Sequence, residues 1–147
     1  MTGRFGATVT IERPIDEVFA FLAEGTNDPK FSPRVLDIVN RTGGRVAVGS
    51  VFASTVKDAG MKTKREFRIT ELVAPTRLRW TEASKNLVVA SEGGYDLVSH
   101  GETTDVTFFN LLEGHGIGGL VARVALSAAR KDADAFAGRI KSAVESS

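Results

Sequence analysis

The order of segments constrains this chain more than any single motif. One strand-like stretch, residues 6–13, leads into a short amphipathic helix at 14–24. Strand-like pieces then succeed one another from about residue 35 to 112, and an Ala-rich helix at 119–146 closes the sequence. A helix of that length, arriving after all the strands, has only the sheet on which to bury an apolar face. The expected class is therefore α+β, a curved antiparallel sheet gripping one long C-terminal helix. Such an arrangement commonly leaves a cavity between its two layers.

The local patterns agree with this order. Ala7, Val9 and Ile11 alternate with Thr8, Thr10 and Glu12, the period of a half-buried strand. Pro14 stands at a first helical position, with Asp16 and Glu17 near the positive end of the helix dipole. Ile15, Val18, Phe19 and Leu22 then fall on one helix face. Gly25, Asn27, Pro29 and Pro33 break the helix, and a turn or second small helix is expected there. Further strands are expected at 35–41, 50–56, 64–72, 77–81, 87–98 and 104–112. Turns separate them at Gly43-Gly44, 57–60, Ala74-Pro75-Thr76, 84–86 and 99–102. Connections this short make successive strands antiparallel neighbours. On the last helix, Val121, Ala125, Ala129, Ala133, Phe136, Ile140 and Val144 form the expected buried stripe. Its mostly alanine centre means either close approach of helix and sheet or unfilled volume.

Composition narrows the function classes. A chain of 147 residues is the size of one domain, and it buries roughly 70% of its unfolded surface without staples. There is no cysteine, which removes disulfides, thiolate catalysis and Cys-based zinc sites. Lys and Arg are scattered and the net charge is only +1, so no nucleic-acid footprint is expected. The opening MTGRFGATVTIERP has no continuous apolar region, and no stretch approaches the ~20 apolar residues of a membrane span. A cytoplasmic protein without a signal peptide is expected.

Gly114-His115-Gly116-Ile117-Gly118-Gly119 matches G-x-G-x-x-G, but a dinucleotide fingerprint works inside a βαβ unit and no strand follows this helix. The segment reads as a hinge for the last helix, and no cofactor is expected. The two histidines, His100 in a turn and His115 in the glycine loop, supply no coherent metal-ligand set. More is carried by the strands' inward faces. If Phe67, Ile69, Leu78, Trp80, Tyr95, Leu97, Val106 and Phe108 face the helix, alternation brings Arg65, Ser91, Thr104 and Asn110 to the same side. An apolar wall carrying a few polar groups is the make-up of a small-molecule site.

The chain resembles the polyketide cyclase/dehydrase group of the START-like (SRPBCC, helix-grip) superfamily. The matching pieces are ATVTIERPIDEVFAFLAE, VGSVF after the Gly-containing turn, ITELVAPTRLRW, and YDLVSHGETTDVTF followed by the C-terminal helix. Their order and spacing carry the resemblance over nearly the whole chain. Asp28-Pro29-Lys30-Phe31 departs from it, with Phe31 where many relatives carry Trp. The resemblance implies one START-like domain over residues 1–147. It implies a seven-stranded curved antiparallel sheet around the long C-terminal helix, with one or two short helices after the first strand. It also implies a hydrophobic ligand held in the cavity between them.

The expected function is binding of a lipid-, aromatic- or polyketide-like molecule. Arg65, Phe67, Ile69, Trp80, Ser91, Tyr95, Phe108, Asn110, Ala125 and Ala129 are the candidate ligand contacts. Two rivals stand beside it, a polyketide cyclase or dehydratase and a protein-interaction module. For the enzyme no catalytic residue is assigned, and Tyr95 and His115 are the candidates. The expected partner is a hydrophobic small molecule, with no nucleic acid and no membrane span, on a monomer or homodimer.

Overall fold

The computed structural model describes residues 2–58 and 60–147. Its elements run β1 (Thr2–Ile11), α1 (Ile15–Ala23), a 3-10 helix (Gly25–Lys30), β2 (Val35–Asn40), β3 (Val51–Asp58), β4 (Met61–Val73), β5 (Arg77–Glu82), β6 (Val88–His100), β7 (Thr103–Gly114) and α2 (Gly118–Glu145). The turn expected at 57–60 contains Ala59, which lies outside the described residues.

The strands form one seven-stranded sheet in the order β1-β7-β6-β5-β4-β3-β2, each neighbouring pair antiparallel. This is the helix-grip arrangement that the order of segments implied. Strands consecutive in sequence from β2 to β7 are neighbours in space, as short connections demand. β1 and β2 are the two sheet edges, and α1 with the 3-10 helix bridges the gap between them.

α2 runs beside β1 and seals that edge. Arg130 Nε donates to Arg4 O at 3.0 Å, Lys141 Nζ to Thr10 O at 3.1 Å, and the Arg13 guanidinium to Glu145 O. Its buried stripe is Gly118, Ala122, Leu126, Ala133, Ala137, Ile140 and Val144, with Phe136 half-buried beside it. The C-terminal part agrees with the sequence reading, but at the helix start Val121 is 52% exposed and Leu126 4%. The cause is the join to β7. A Cβ at Gly114 would lie 2.2 Å from Gly118 O, so strand end and helix start touch backbone to backbone. That contact sets the helix's rotation and turns Ala122 and Leu126 inward.

Between sheet, α1 and α2 lies one apolar core. It includes Val18, Phe19, Phe21, Leu22, Phe31, Phe52, Ile69, Leu78, Tyr95, Leu97, Phe108 and Ile140. Phe31 packs within it, its ring centroid 6.3 Å from Phe21 and 5.8 Å from Phe136. On the opposite sheet face Arg79 Nη2 donates to both carboxylate oxygens of Asp96 at 2.9 Å, and the guanidinium stacks over Phe109 at 4.8 Å. An ion pair so packed is stabilised by geometry that a solvated surface pair lacks.

Candidate functional site

Strand register builds the inner wall residue by residue. Ile69, Trp80, Gly93, Asn110 and Phe5 pair in one row across β4, β5, β6, β7 and β1. Leu78, Tyr95, Phe108 and Ala7 form the next row. Gly93 shapes the centre of the first row. A Cβ there would lie 2.2 Å from Asn110 Oδ1 and 2.4 Å from Trp80 Nε1, so both polar ends converge over a residue without a side chain. Trp80 meets Tyr95 edge-on, their centroids 5.1 Å apart. Phe136 of α2 covers Phe108 from the other side at 4.9 Å.

A further titratable group lies outside the sheet. Asp28 sits on the 3-10 helix, which Asn27 Nδ2 fastens to Phe21 O at 2.9 Å. Burial pushes the Asp28 carboxyl up to about 7 from an ordinary 3.8. The Tyr95 phenol is raised well above its usual range, first by burial and then by the charge of Asp28.

Among the described residues, none of the Asp28 carboxyl, the Tyr95 hydroxyl, Trp80 Nε1 and the Asn110 amide has a hydrogen-bond partner. Each nevertheless keeps some accessible surface, since Ser54 Oγ alone is both fully covered and unpartnered among those residues. Interior polar groups are nearly always satisfied. Trp80 Nε1 and Asn110 Oδ1 meet beside Tyr95 on an apolar wall, the make-up that small-molecule sites share.

A second polar cluster at one end of the wall differs in being closed on itself. Arg65 Nη1 donates to both oxygens of Glu82, at 3.0 and 2.9 Å, and to Val88 O at 3.2 Å. Glu82, its side chain 0% exposed, also accepts from the Ser84 hydroxyl, from Asn86 Nδ2 at 3.1 Å and from Ala90 N at 2.8 Å. A buried carboxylate needs such a set of donors.

The structure separates the expected contacts into those that meet on the wall and those that do not. Ile69, Trp80, Tyr95, Phe108 and Asn110 stand together on the two rows. Phe67 is half-buried and pairs with Glu82 and Phe52 on the same side. Arg65 faces inward but is engaged by Glu82. Ala125 and Ala129 are half-buried flanks of the α2 stripe. Ser91 is displaced. A bulge between Ala90 and Glu92 shifts the register, so Ala90 takes the position opposite Leu112 and the Ser91 hydroxyl turns to Leu111 O at 3.4 Å. His115 does not join the wall. Its side chain is exposed on the β7–α2 loop and pairs with Glu113 at 3.1 Å. Sequence reasoning misses Asp28 and Glu82. The one hint at Asp28 is an acid set between Asn27 and Pro29 in a segment with no period of its own.

Two open grooves flank the seam of α2 and β1. One of about 430 Å³ is lined by Arg123, Leu126, Ser127, Arg130 and Lys131. The other, of about 450 Å³, runs over residues 4–8, Thr107, Phe108 and Arg130. Neither reaches Trp80, Tyr95 or Asn110. Among the described residues no cluster of His, Cys, Asp and Glu could hold a metal ion, and no helix is long and apolar enough to cross a membrane.

Sheet, helix and lined interior together define a START-like, helix-grip protein. The chain belongs to the polyketide cyclase/dehydrase and lipid transport family, whose model matches residues 2–145. No curated protein sequence matches it significantly. Among solved structures, the Zhui aromatase/cyclase of Streptomyces sp. R1128 superposes with a TM-score of 0.80 at 18% identity, over 99% of this chain and 94% of that one. A protein of Thermus thermophilus gives 0.79 at 14% identity over 98% of both chains. A START superfamily protein of Mycobacterium smegmatis gives 0.73 at 13%, over 95% of this chain and 97% of the other. At these identities the likeness is one of fold.

Proposed function

We propose that this protein binds a small hydrophobic molecule, lipid-, aromatic- or polyketide-like, in the interior between the sheet and α2. The observation that carries this reading is the convergence of Trp80 Nε1 and Asn110 Oδ1 beside Tyr95, all unpartnered among the described residues, on an apolar wall. Burial against Ile69, Leu78, Phe108 and Phe136 supplies affinity, and the polar groups set orientation. The reading takes the chain as one domain acting in the cytoplasm, as a monomer or homodimer, without nucleic acid.

Trp80 is the chain's single tryptophan, and so a built-in reporter. Protein purified from its own host should carry a hydrophobic compound visible by native mass spectrometry. Returning the extracted compound to stripped protein should shift Trp80 emission. A stripped protein whose emission ignores its own extract and a panel of neutral aromatic and acyl compounds would overturn the reading.

A second reading, cyclisation or dehydration of a polyketide-like substrate, is favoured by one feature. Asp28 and Tyr95 are two proton-bearing groups that burial shifts upward, and desolvated acids of this kind suit general acid catalysis. Turnover lost in Tyr95→Phe while binding persists is the result expected of the enzyme.

A further inference from the structure

The first half of α2 leaves an aliphatic ridge bare. Ile117, Leu120, Val121 and Val124 fall at i, i+3, i+4 and i+7, the spacing of one helix face, and are 52–79% exposed. The buried residues of the same turns, Gly118, Ala122 and Leu126, point the other way. Leu87, also exposed, stands at the start of the ridge, where the β5–β6 connection meets the helix and the His115 amide donates to Leu87 O at 3.4 Å. Contiguous aliphatic surface of this kind marks a contact. The charge around it has one sign. Neither residues 83–91 nor residues 114–131 include Asp or Glu. Arg123, Arg130 and Lys131 line the open groove of about 430 Å³ along the flank, and Lys85 is exposed on the β5–β6 connection. Arg130 donates to Arg4 O, whereas Arg123 and Lys131 have no hydrogen-bond or ion-pair partner among the described residues. The acids that bound this stretch are Glu113, paired with His115, Asp132, held by Arg139 at 2.7 Å, and Asp134, about three helical turns beyond Val124.

We propose that this ridge docks the protein peripherally on an anionic lipid surface. Ile117, Leu120, Val121 and Val124 enter the boundary between headgroups and acyl chains, and Arg123, Arg130 and Lys131 meet the lipid phosphates. A helix with an aliphatic face flanked by cations lies in the membrane plane in this way, held by buried apolar area and by attraction to anionic lipid. Long Arg and Lys stems run along the apolar surface while their charged ends reach the phosphates. Charge complementarity selects this occupant. A second copy paired through the same ridge would set like cations against one another, with no acid on the face to answer them. Single-stranded nucleic acid would call for aromatic rings on which bases stack, and the ridge carries none. The surface lies outside the interior, so the inference is independent of the ligand-binding reading.

Vesicle flotation tests it, with one part phosphatidylglycerol to three parts phosphatidylcholine at about 0.1 M salt. Wild type should bind these vesicles about tenfold or more tighter than pure phosphatidylcholine, and the difference should vanish near about 1 M salt. The paired change Arg123→Ala and Lys131→Ala should weaken binding about tenfold or more, since each cation near an anionic surface is worth about fivefold. The paired change Leu120→Ser and Val124→Ser should remove binding, and Val98→Ser, at an exposed site near the far end of β6, should leave it unchanged. Should the paired variants fail to fold, a single label decides, because the chain has no cysteine of its own. A polarity-sensitive NBD group on Val124→Cys should shift to the blue with anionic vesicles, and the same group on Val98→Cys should not. Absence of wild-type binding, binding indifferent to lipid charge, binding that survives Leu120→Ser with Val124→Ser, or equal shifts from the two labels overturns the inference. A dimer in sedimentation equilibrium that the serine pair dissociates, with no binding to vesicles, also overturns it and gives the ridge to a second copy.

Discussion

At the residue scale, Asp28 makes the folded state sensitive to pH even with no ligand present. Its folded pKa of about 7 lies above the ordinary 3.8 it regains on unfolding. The associated stability is therefore complete below about 3.8 and is lost as pH rises to about 7, where the folded group ionises too. The gap between those two values sets an upper bound of about 4 kcal/mol, and a half-buried residue delivers less, about 2–3 kcal/mol. Asp105 and Glu145 act in the opposite sense. Hydrogen bonds from Thr10 and from the Glu12 backbone, respectively, lead in holding their carboxyls below the usual range, so they favour folding at higher pH. Comparison with Asp28→Asn isolates the one group. Urea midpoints should converge near pH 4, and the variant should be the more stable by a widening margin up to pH 7. Parallel curves would rule this out. Trp80, Tyr95 and Asn110 were legible in the sequence because alternation along a regular strand fixes which way they point. Ser91 was not, because a bulge reverses the face without altering composition. Asp28 was not, because a six-residue 3-10 helix has no apolar period to read.

At the element scale, α2 shows how a correct helix can carry a partly wrong face. Two stripes fit its sequence, one through Val121 and one through Ala122 and Leu126, and they merge from Ala133 onward. Periodicity ranks the two almost equally. The choice is made by the Gly114–Gly118 backbone contact, which is tertiary and leaves no mark in hydrophobic spacing. The difference is measurable. Leu126→Ala should cost about 2–4 kcal/mol as a buried truncation, and Val121→Ala less than ~0.5 kcal/mol at an exposed site. Denaturant midpoints for the pair check it, and the reverse ranking would restore the other stripe. Bulges in β4, between Ile69 and Glu71, and in β6 likewise place inward positions that element boundaries alone leave undefined.

At the scale of the whole molecule, the architecture was readable from segment order, because short connections leave antiparallel neighbours little choice. Stability should be distributed unevenly over that sheet. β6 and β7 are long, pair along their length and are covered by α2 and β1. β2 is a six-residue edge with a register shift between Val35 and Asp37. Amide hydrogen exchange should be slowest in central β6 and β7 and should reach β2 through local opening at lower free energy. Uniform protection across all seven strands would contradict this.

The pairing of β1 bears on how the chain is made. β1 comes first in this sequence, yet its partner in the sheet is β7, and the hydroxyls of Thr8 and Thr107 meet across 99 positions. While the chain emerges from the ribosome, β1 must therefore wait, alternating and unpaired, until the other six strands have been synthesised. Its outer edge stays open longer still, until α2 follows. A contact of such sequence separation slows the closing step of folding and prolongs the exposure of a sticky edge. The newborn chain is thus most exposed to wrong partners before its last helix leaves the ribosome, and that is the interval in which a chaperone holding the N-terminal strand would raise the yield.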